Sequence, residues 1–165
     1  MRFFFYGTLI DGDLRRALCG PAVDGWTIAG AELADHRRGR SRGRTYPFLL
    51  PAPGGRVAGL LADGLDAEAA AVLTLYEGAG YRAARVHAET AAGPVAAWAF
   101  LPRRAVAATL PWSLEAWQGR HKGSALARVT AWRSGVAPAA IARAAASWRR
   151  RLAQAERQAG GTGLS

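Results

Sequence analysis

Three consecutive phenylalanines, Phe3, Phe4 and Phe5, open the chain and stop abruptly at Tyr6-Gly7-Thr8-Leu9. An unbroken aromatic run of this kind suits a buried strand. Gly7 reaches backbone angles closed to other residues and lets a ligand approach the main chain closely. A strand that ends in such a turn leaves successive N–H groups free to point at an anion or a carbonyl oxygen. The same residues also read as a first strand followed by an ordinary turn. Both readings stand at this point.

What surrounds this opening is enough for one ordinary domain, since the chain has 165 residues, half of them apolar. No stretch approaches the roughly 20 apolar residues of a membrane helix, so no membrane partner is expected. The first ten residues do not read as a signal peptide. Cys19 is the sole cysteine, which suits a reducing cytoplasm and a buried structural thiol. The net charge of +10 is unevenly spread. Residues 1–102 carry 11 arginines against 10 carboxylates, whereas residues 103–165 carry 10 arginines and one lysine against Glu115 and Glu156. A nearly neutral domain, 1–102, followed by a basic helical extension, 103–165, is the expected organisation.

Along the chain, Asp11-Gly12-Asp13 offers a helix start and residues 14–19 a short helix ending at Gly20-Pro21. Residues 23–33 read as extended. The run 36–44, with five arginines in nine residues, reads as a solvated loop or, alternatively, as a cationic rim that guides an anionic substrate. Residues 46–50 and 56–62 read as two strands of a hairpin turned at Pro53-Gly54-Gly55. A second hairpin pairs 81–89 with 94–101. Between them a helix is expected over 66–77, capped by Asp66, with Leu65, Ala69, Val72, Leu73 and Tyr76 forming one apolar stripe. Beyond Leu110 the text turns helical, and Ile141, Ala145, Trp148, Leu152 and Ala155 recur at helical spacing. That last helix is expected to stop before Gly160-Gly161, leaving a frayed tail to Ser165.

Glu77 is the candidate for chemistry. It falls at the C-terminal end of the 66–77 helix, where the helix dipole opposes a negative charge, and Gly78 is the expected cap. Such a placement, combined with partial burial, raises a carboxyl pKa toward neutrality, as a proton-shuttling residue requires. A solvated glutamate at a helix end is the plainer alternative. His36, His87 and His121 are scattered without metal-ligand spacing, and no nucleophile elbow or phosphate loop occurs. No metal or cofactor is expected.

Three segments in order, FFFYGTL, TYPFLLPAPGGRVAG and YEGAGYRAARV, resemble the gamma-glutamylcyclotransferase superfamily, and more closely its AIG2-like branch, over roughly residues 1–101. The resemblance implies an α+β fold: a mixed sheet or small barrel of about five to seven strands with a central helix. It implies a small-molecule gamma-glutamyl substrate, from which 5-oxoproline and a free amine are released, with Glu77 as the acid/base. It also implies substrate binding at Tyr6, Gly7, Thr8 and Leu9. Tyr81 either lines the pocket through its hydroxyl or is a core aromatic opening a strand. The chain departs from the family pattern at Ile10-Asp11-Gly12-Asp13, where a basic residue and glycine are usual, and in VAGLL, which lacks an acidic residue after Gly59. Two other functions are weighed against this one. One is an amino-acid-binding pocket without turnover. The other, not favoured, is a nucleic-acid or acidic-partner interface on the basic third.

Overall fold

The computed structural model describes residues 1–160. Five strands close into a barrel in the order β1-β3-β2-β4-β5, where β1 is Phe3–Phe5, β2 Thr27–Gly39, β3 Phe48–Asp63, β4 Tyr81–Thr90 and β5 Gly93–Pro102. Four helices accompany it: α1 Gly12–Cys19, α2 Ala67–Glu77, α3 Leu114–Gly135 and α4 Pro138–Gly160. The architecture is the expected α+β barrel. The tail expected beyond Gly160 lies outside the described residues.

β1 is the barrel's shortest strand and the one around which it is built. It pairs antiparallel with β3, Phe4 opposite Leu61, and parallel with β5, Phe3 opposite Trp98. Side chains alternate along a strand, so Phe4 packs inside the barrel with Leu33, Leu49, Val57, Val86 and Ala99. Phe3 and Phe5 point the other way, into a second core built with α1, α2, α3 and α4. An unbroken aromatic run survives here because both faces of β1 are covered.

The same two-sided cover changes the reading of α2. Its caps are as expected: Asp66 accepts from Ala69 N at 2.7 Å, and Gly78 ends the helix at φ 73°. The burial is not a single stripe, however. Ala69, Ala70, Ala71, Val72 and Leu73 are all buried, because α4 lies on the side of α2 away from the barrel. Alanines let the two helices approach closely, and Trp148 of α4 donates its Nε1–H to Thr74 Oγ1 at 2.9 Å. Trp148 also meets the rings of Phe3 and Trp98 edge-on, at 5.5 and 5.1 Å.

Two further expectations fail. Residues 46–62 are not a hairpin. β3 is one strand of 16 residues running antiparallel to β2, and residues 52–55 bulge outward opposite Asp35. Asp35 takes φ 57° and accepts from Gly54 N at 2.8 Å, so the bulge is held from the partner strand. The proline and glycines that signal a tight turn serve a bulge equally well. Tyr46 and Pro47 precede the strand instead of opening it.

Nor is the arginine-rich run a solvated loop throughout: only residues 41–44 stay outside regular structure, with Arg42 and Arg44 exposed. Residues 36–39 complete β2, and Arg40 pairs with Leu110. Arg37 Nη1 donates to Ala108 O at 2.7 Å, Arg40 Nε to Pro111 O at 3.2 Å, and Arg38 Nη1 to Tyr6 O at 2.7 Å. The segment around residue 108 has no regular structure, so its carbonyls need donors from elsewhere, and guanidinium groups supply them. The hairpin of β4 and β5 matches the expected bounds to within a residue at each end.

Because Trp148 joins α4 to α2 and to β1 at once, Trp148→Ala is expected to lower unfolding free energy by about 3–5 kcal/mol, the usual range for deleting a buried tryptophan. Urea unfolding followed by circular dichroism measures this. A loss below about 1 kcal/mol would mean that α4 contributes little to the core.

Candidate active site

At one end of the barrel, the turn after β1, the last residues of α2 and one face of α3 enclose a cavity of about 280 Å³. Tyr6, Gly7, Thr8, Leu9, Glu77 and Tyr81 all line it, so residues scattered over 75 positions of sequence converge. Tyr46, Pro47, Tyr76, Trp117 and Arg128 complete much of the wall.

The turn is a short 3₁₀ segment, Thr8–Ile10, entered through Gly7. Its carbonyls are all engaged. Tyr6 O accepts from Arg38, Gly7 O from Ile10 N, Thr8 O from Asp11 N, and Leu9 O and Ile10 O both accept from Arg15 Nη1 at 2.7 and 2.8 Å. Among the described residues, the N–H groups of Gly7, Thr8 and Leu9 have no backbone acceptor. Orphan donors at the start of a helical turn form a concave, positively polarised nest. Gly7 lies at φ −123°, so left-handed geometry is not its reason for being there. A Cβ at that position would stand 3.0 Å from Pro47 Cγ. The glycine is needed for close approach.

Glu77 ends α2. Among the described residues it makes no ion pair and no side-chain hydrogen bond. It is partly buried and borders the cavity. Its loss of solvation pushes its pKa from 4.5 up to about 7. Three phenols crowd it. Burial first, and then the Glu77 charge, push Tyr6 and Tyr81 well up and Tyr76 up to about 12, so all three stay protonated. Tyr6 is already committed, donating its hydroxyl to Phe100 O at 2.5 Å. Its share of the site is therefore main chain. Tyr81 stacks on Phe48 at 5.9 Å and its edge reaches the cavity, so it is both a packing residue and a lining one.

Reasoning from sequence missed the residues that hold this turn and those that face it from afar. Asp11 is buried and caps α1, accepting from Leu14 N at 3.0 Å. Gln118 Nε2 and Lys122 Nζ of α3 reach the same carboxylate at 2.7 and 2.8 Å. Burial would raise the pKa of Asp11, but the bonds from Lys122 and Gln118 outweigh it and hold it below the ordinary range. This clasp seats α3 beside the turn and so brings Trp117 and Arg128 to the cavity wall. No local pattern marks those two residues; only the docking of α3 does. No three of His, Cys, Asp or Glu converge as metal ligands among the described residues.

With that geometry established, the chain was compared with known proteins. The profile of the family described as gamma-glutamyl cyclotransferase, AIG2-like, matches residues 3–119. No curated protein matches at a significant level. Among solved structures, an Arabidopsis thaliana protein determined in solution is similar at 23% identity and a TM-score of 0.60, covering 77% of this chain and 86% of its own. A human protein is similar at 18% identity and a TM-score of 0.55, covering 83% and 88%. A Pyrococcus horikoshii protein is similar at 18% identity and a TM-score of 0.52, covering 75% and 96%. At such identities these structures speak for the fold alone.

Two measurements follow from the geometry. Gly7→Val is expected to abolish ligand binding, because its side chain would meet Pro47 and distort the nest, whereas Thr8→Ser should change affinity by less than about threefold, a surface-type effect. Unchanged affinity in Gly7→Val, measured by calorimetry, would remove the nest from the site. For Glu77, the folded-state pKa near 7 lies above the unfolded value near 4.5, so the folded state holds the extra proton between them. Stability should therefore fall as pH rises through that window. The gain in unfolding free energy from Glu77→Gln, followed as melting temperature, should be larger at pH 8 than at pH 5, reaching up to about 3 kcal/mol. A gain independent of pH would show that the carboxylate is not destabilised.

Proposed function

The chain belongs to the AIG2-like gamma-glutamyl cyclotransferase family, and from that premise we propose that it releases 5-oxoproline and a free amine from a gamma-glutamyl compound, with Glu77 moving the protons. The observation that carries this reading is an unpaired carboxylate of near-neutral pKa sharing one cavity with the unpaired N–H groups of Gly7, Thr8 and Leu9. One group is suited to proton transfer and the other to a developing oxyanion. The division into a core of residues 1–102 and a helical extension is kept in this reading, with the extension supplying Trp117 and Arg128 to the wall.

The substrate brings its own nucleophile. The carboxylate of Glu77 takes a proton from the alpha-ammonium, and the free amine attacks the gamma-carbonyl carbon, forming the C–N bond of a five-membered ring. The carbonyl oxygen becomes an oxyanion facing the N–H groups of the turn. As the adduct collapses, the bond to the departing nitrogen breaks, and protonated Glu77 supplies its proton. The second proton shed by the attacking nitrogen leaves with the product amine, which departs as an ammonium. No water is consumed. Bringing the two ends of one molecule together is worth on the order of 7–11 kcal/mol in well-oriented reactions, so the protein's part is folding the substrate and moving protons. Tyr76 and Tyr81, held protonated, give the cavity neutral walls that do not compete with Glu77 for the ammonium.

Glu77→Gln is expected to lower kcat by about 10²–10⁴ while leaving substrate affinity nearly intact, since glutamine keeps the shape but cannot shuttle a proton. Release of 5-oxoproline from gamma-glutamyl amines is the assay. In the wild type kcat/KM should rise with pH through about 7 as the Glu77 carboxylate forms. Wild-type turnover by Glu77→Gln would remove the catalytic assignment. Tight binding without any release of 5-oxoproline would favour a binding pocket instead.

A further inference from the structure

A second cavity, of about 150 Å³, lies between α4, the last turn of α2 and the paired ends of β4 and β5. Glu77, Tyr81 and Phe100 line both cavities, so the two adjoin. The remaining charged groups of the second are all cations. Arg82, Arg103 and Arg151 line it, together with the hydroxyl-bearing Ser147. All three arginines are exposed, and none has a carboxylate partner among the described residues, Glu77 included.

Two of these guanidinium groups are held in place. Arg103 donates its Nε–H to Tyr81 O at 2.9 Å, and its two terminal nitrogens have no acceptor among the described residues. Arg151 lies over the Trp148 ring, 5.2 Å from its centroid, which keeps the guanidinium flat against an apolar wall. The three arginines come from separate places in the chain: the start of β4, the residue after β5, and α4. Like charges gathered at one cavity repel one another, and an anion among them relieves the repulsion. Moreover, α4 lies beyond residues 3–119, the segment shared with the family, so this cavity depends on the chain's own helical extension.

We propose that this second cavity binds a phosphate group, with Arg103 and Arg151 as its principal ligands and Arg82 and Ser147 completing the set. A guanidinium presents parallel N–H donors in a planar fork that matches phosphate oxygens. A carboxylate has two oxygens in one plane and suits a single fork, whereas a tetrahedral phosphate turns oxygens toward several elements at once. A cavity of about 150 Å³ accommodates such a group. The site uses neither the N–H groups of the turn nor the proton of Glu77. It therefore stands or falls independently of the cyclotransferase reading.

The test titrates inorganic phosphate into the isotope-labelled full chain at constant ionic strength and follows amide shifts by NMR. Saturable binding with a dissociation constant of about 1 mM or tighter is expected, with shifts centred on Arg82, Arg103, Ser147 and Arg151. Arg103→Gln and Arg151→Gln should each weaken it about tenfold, the size of one charge-assisted bond, and Arg151→Lys should weaken it less. These side chains are exposed, so the fold should persist in every variant. Arg149→Gln removes an exposed charge of α4 outside the cavity and should leave the affinity unchanged. Equal losses in Arg149→Gln and Arg151→Gln would mean diffuse attraction to a basic surface and would overturn the site. Shifts centred on residues 7–9, or no saturable binding, overturn it as well. A second titration with adenosine monophosphate identifies the source of the phosphate. Tighter binding than inorganic phosphate, with the same dependence on Arg103 and Arg151, assigns a phosphate ester as occupant; equal or weaker binding assigns the free ion. Either result upholds the phosphate site.

Discussion

A carboxylate at the C-terminal end of a helix faces the helix's own partial negative charge, which a lysine or arginine nearby would offset. Among the described residues Glu77 has no such partner, and the alanine-rich body of α2 explains how this is sustained. The helix is locked by burial on nearly every side, between the barrel and α4, with Asp66 and Gly78 fixing its ends. Packing of the whole helix thus tolerates one unfavourable residue at its tip. The rest of the site follows from where that tip comes out, beside the turn that ends β1.

The turn has a complementary construction. Its carbonyls are bound by Arg15, Arg38 and the short 3₁₀ segment itself, so the main-chain groups left over on these cavity-lining residues are donors, not acceptors. Arginine does this work in several places in the protein. Arg37 and Arg40 tie the irregular segment around residue 108 to the end of β2. A strongly basic composition here reflects, in part, how the main chain's unpaired carbonyls are satisfied. Other arginines, such as Arg149 and Arg150, lie on the exposed side of α4.

Where a signal was local, the sequence could be read directly. The Phe3–Phe5 strand, the caps of α2, the hairpin of β4 and β5, and Glu77 at a helix end were all legible from neighbouring residues. Elements whose meaning depends on a distant partner were not. Pro53-Gly54-Gly55 has the chemistry of a turn, but the choice between a turn and a bulge was made by Asp35 across the ladder. The run from His36 to Arg44 looked solvated because five charges in nine residues usually are; carbonyls some 70 positions away recruited Arg37 and Arg40. Arg128 and Trp117 carry no mark in their own helix, and their place at the cavity is set by Asp11, Gln118 and Lys122.

The barrel closes unevenly. β2 shares a twelve-pair ladder with β3, but only Glu32 and Glu89 are paired between β2 and β4. Those two residues carry like charges, and Arg56, at 2.8 Å from Glu32, relieves the repulsion from one side. The cylinder therefore has a seam. Along that line few backbone bonds must break, and two strand edges are released together. Opening there parts β2 and β3 from the hairpin of β4 and β5, while β1 and α2, which carry the turn and Glu77, lie on the far side of the barrel's strand order. The Glu32–Glu89 seam is thus set apart from the chemistry, whereas the equally short junction of β1 with β5, the single pair Phe3–Trp98, adjoins the strand that leads into the turn.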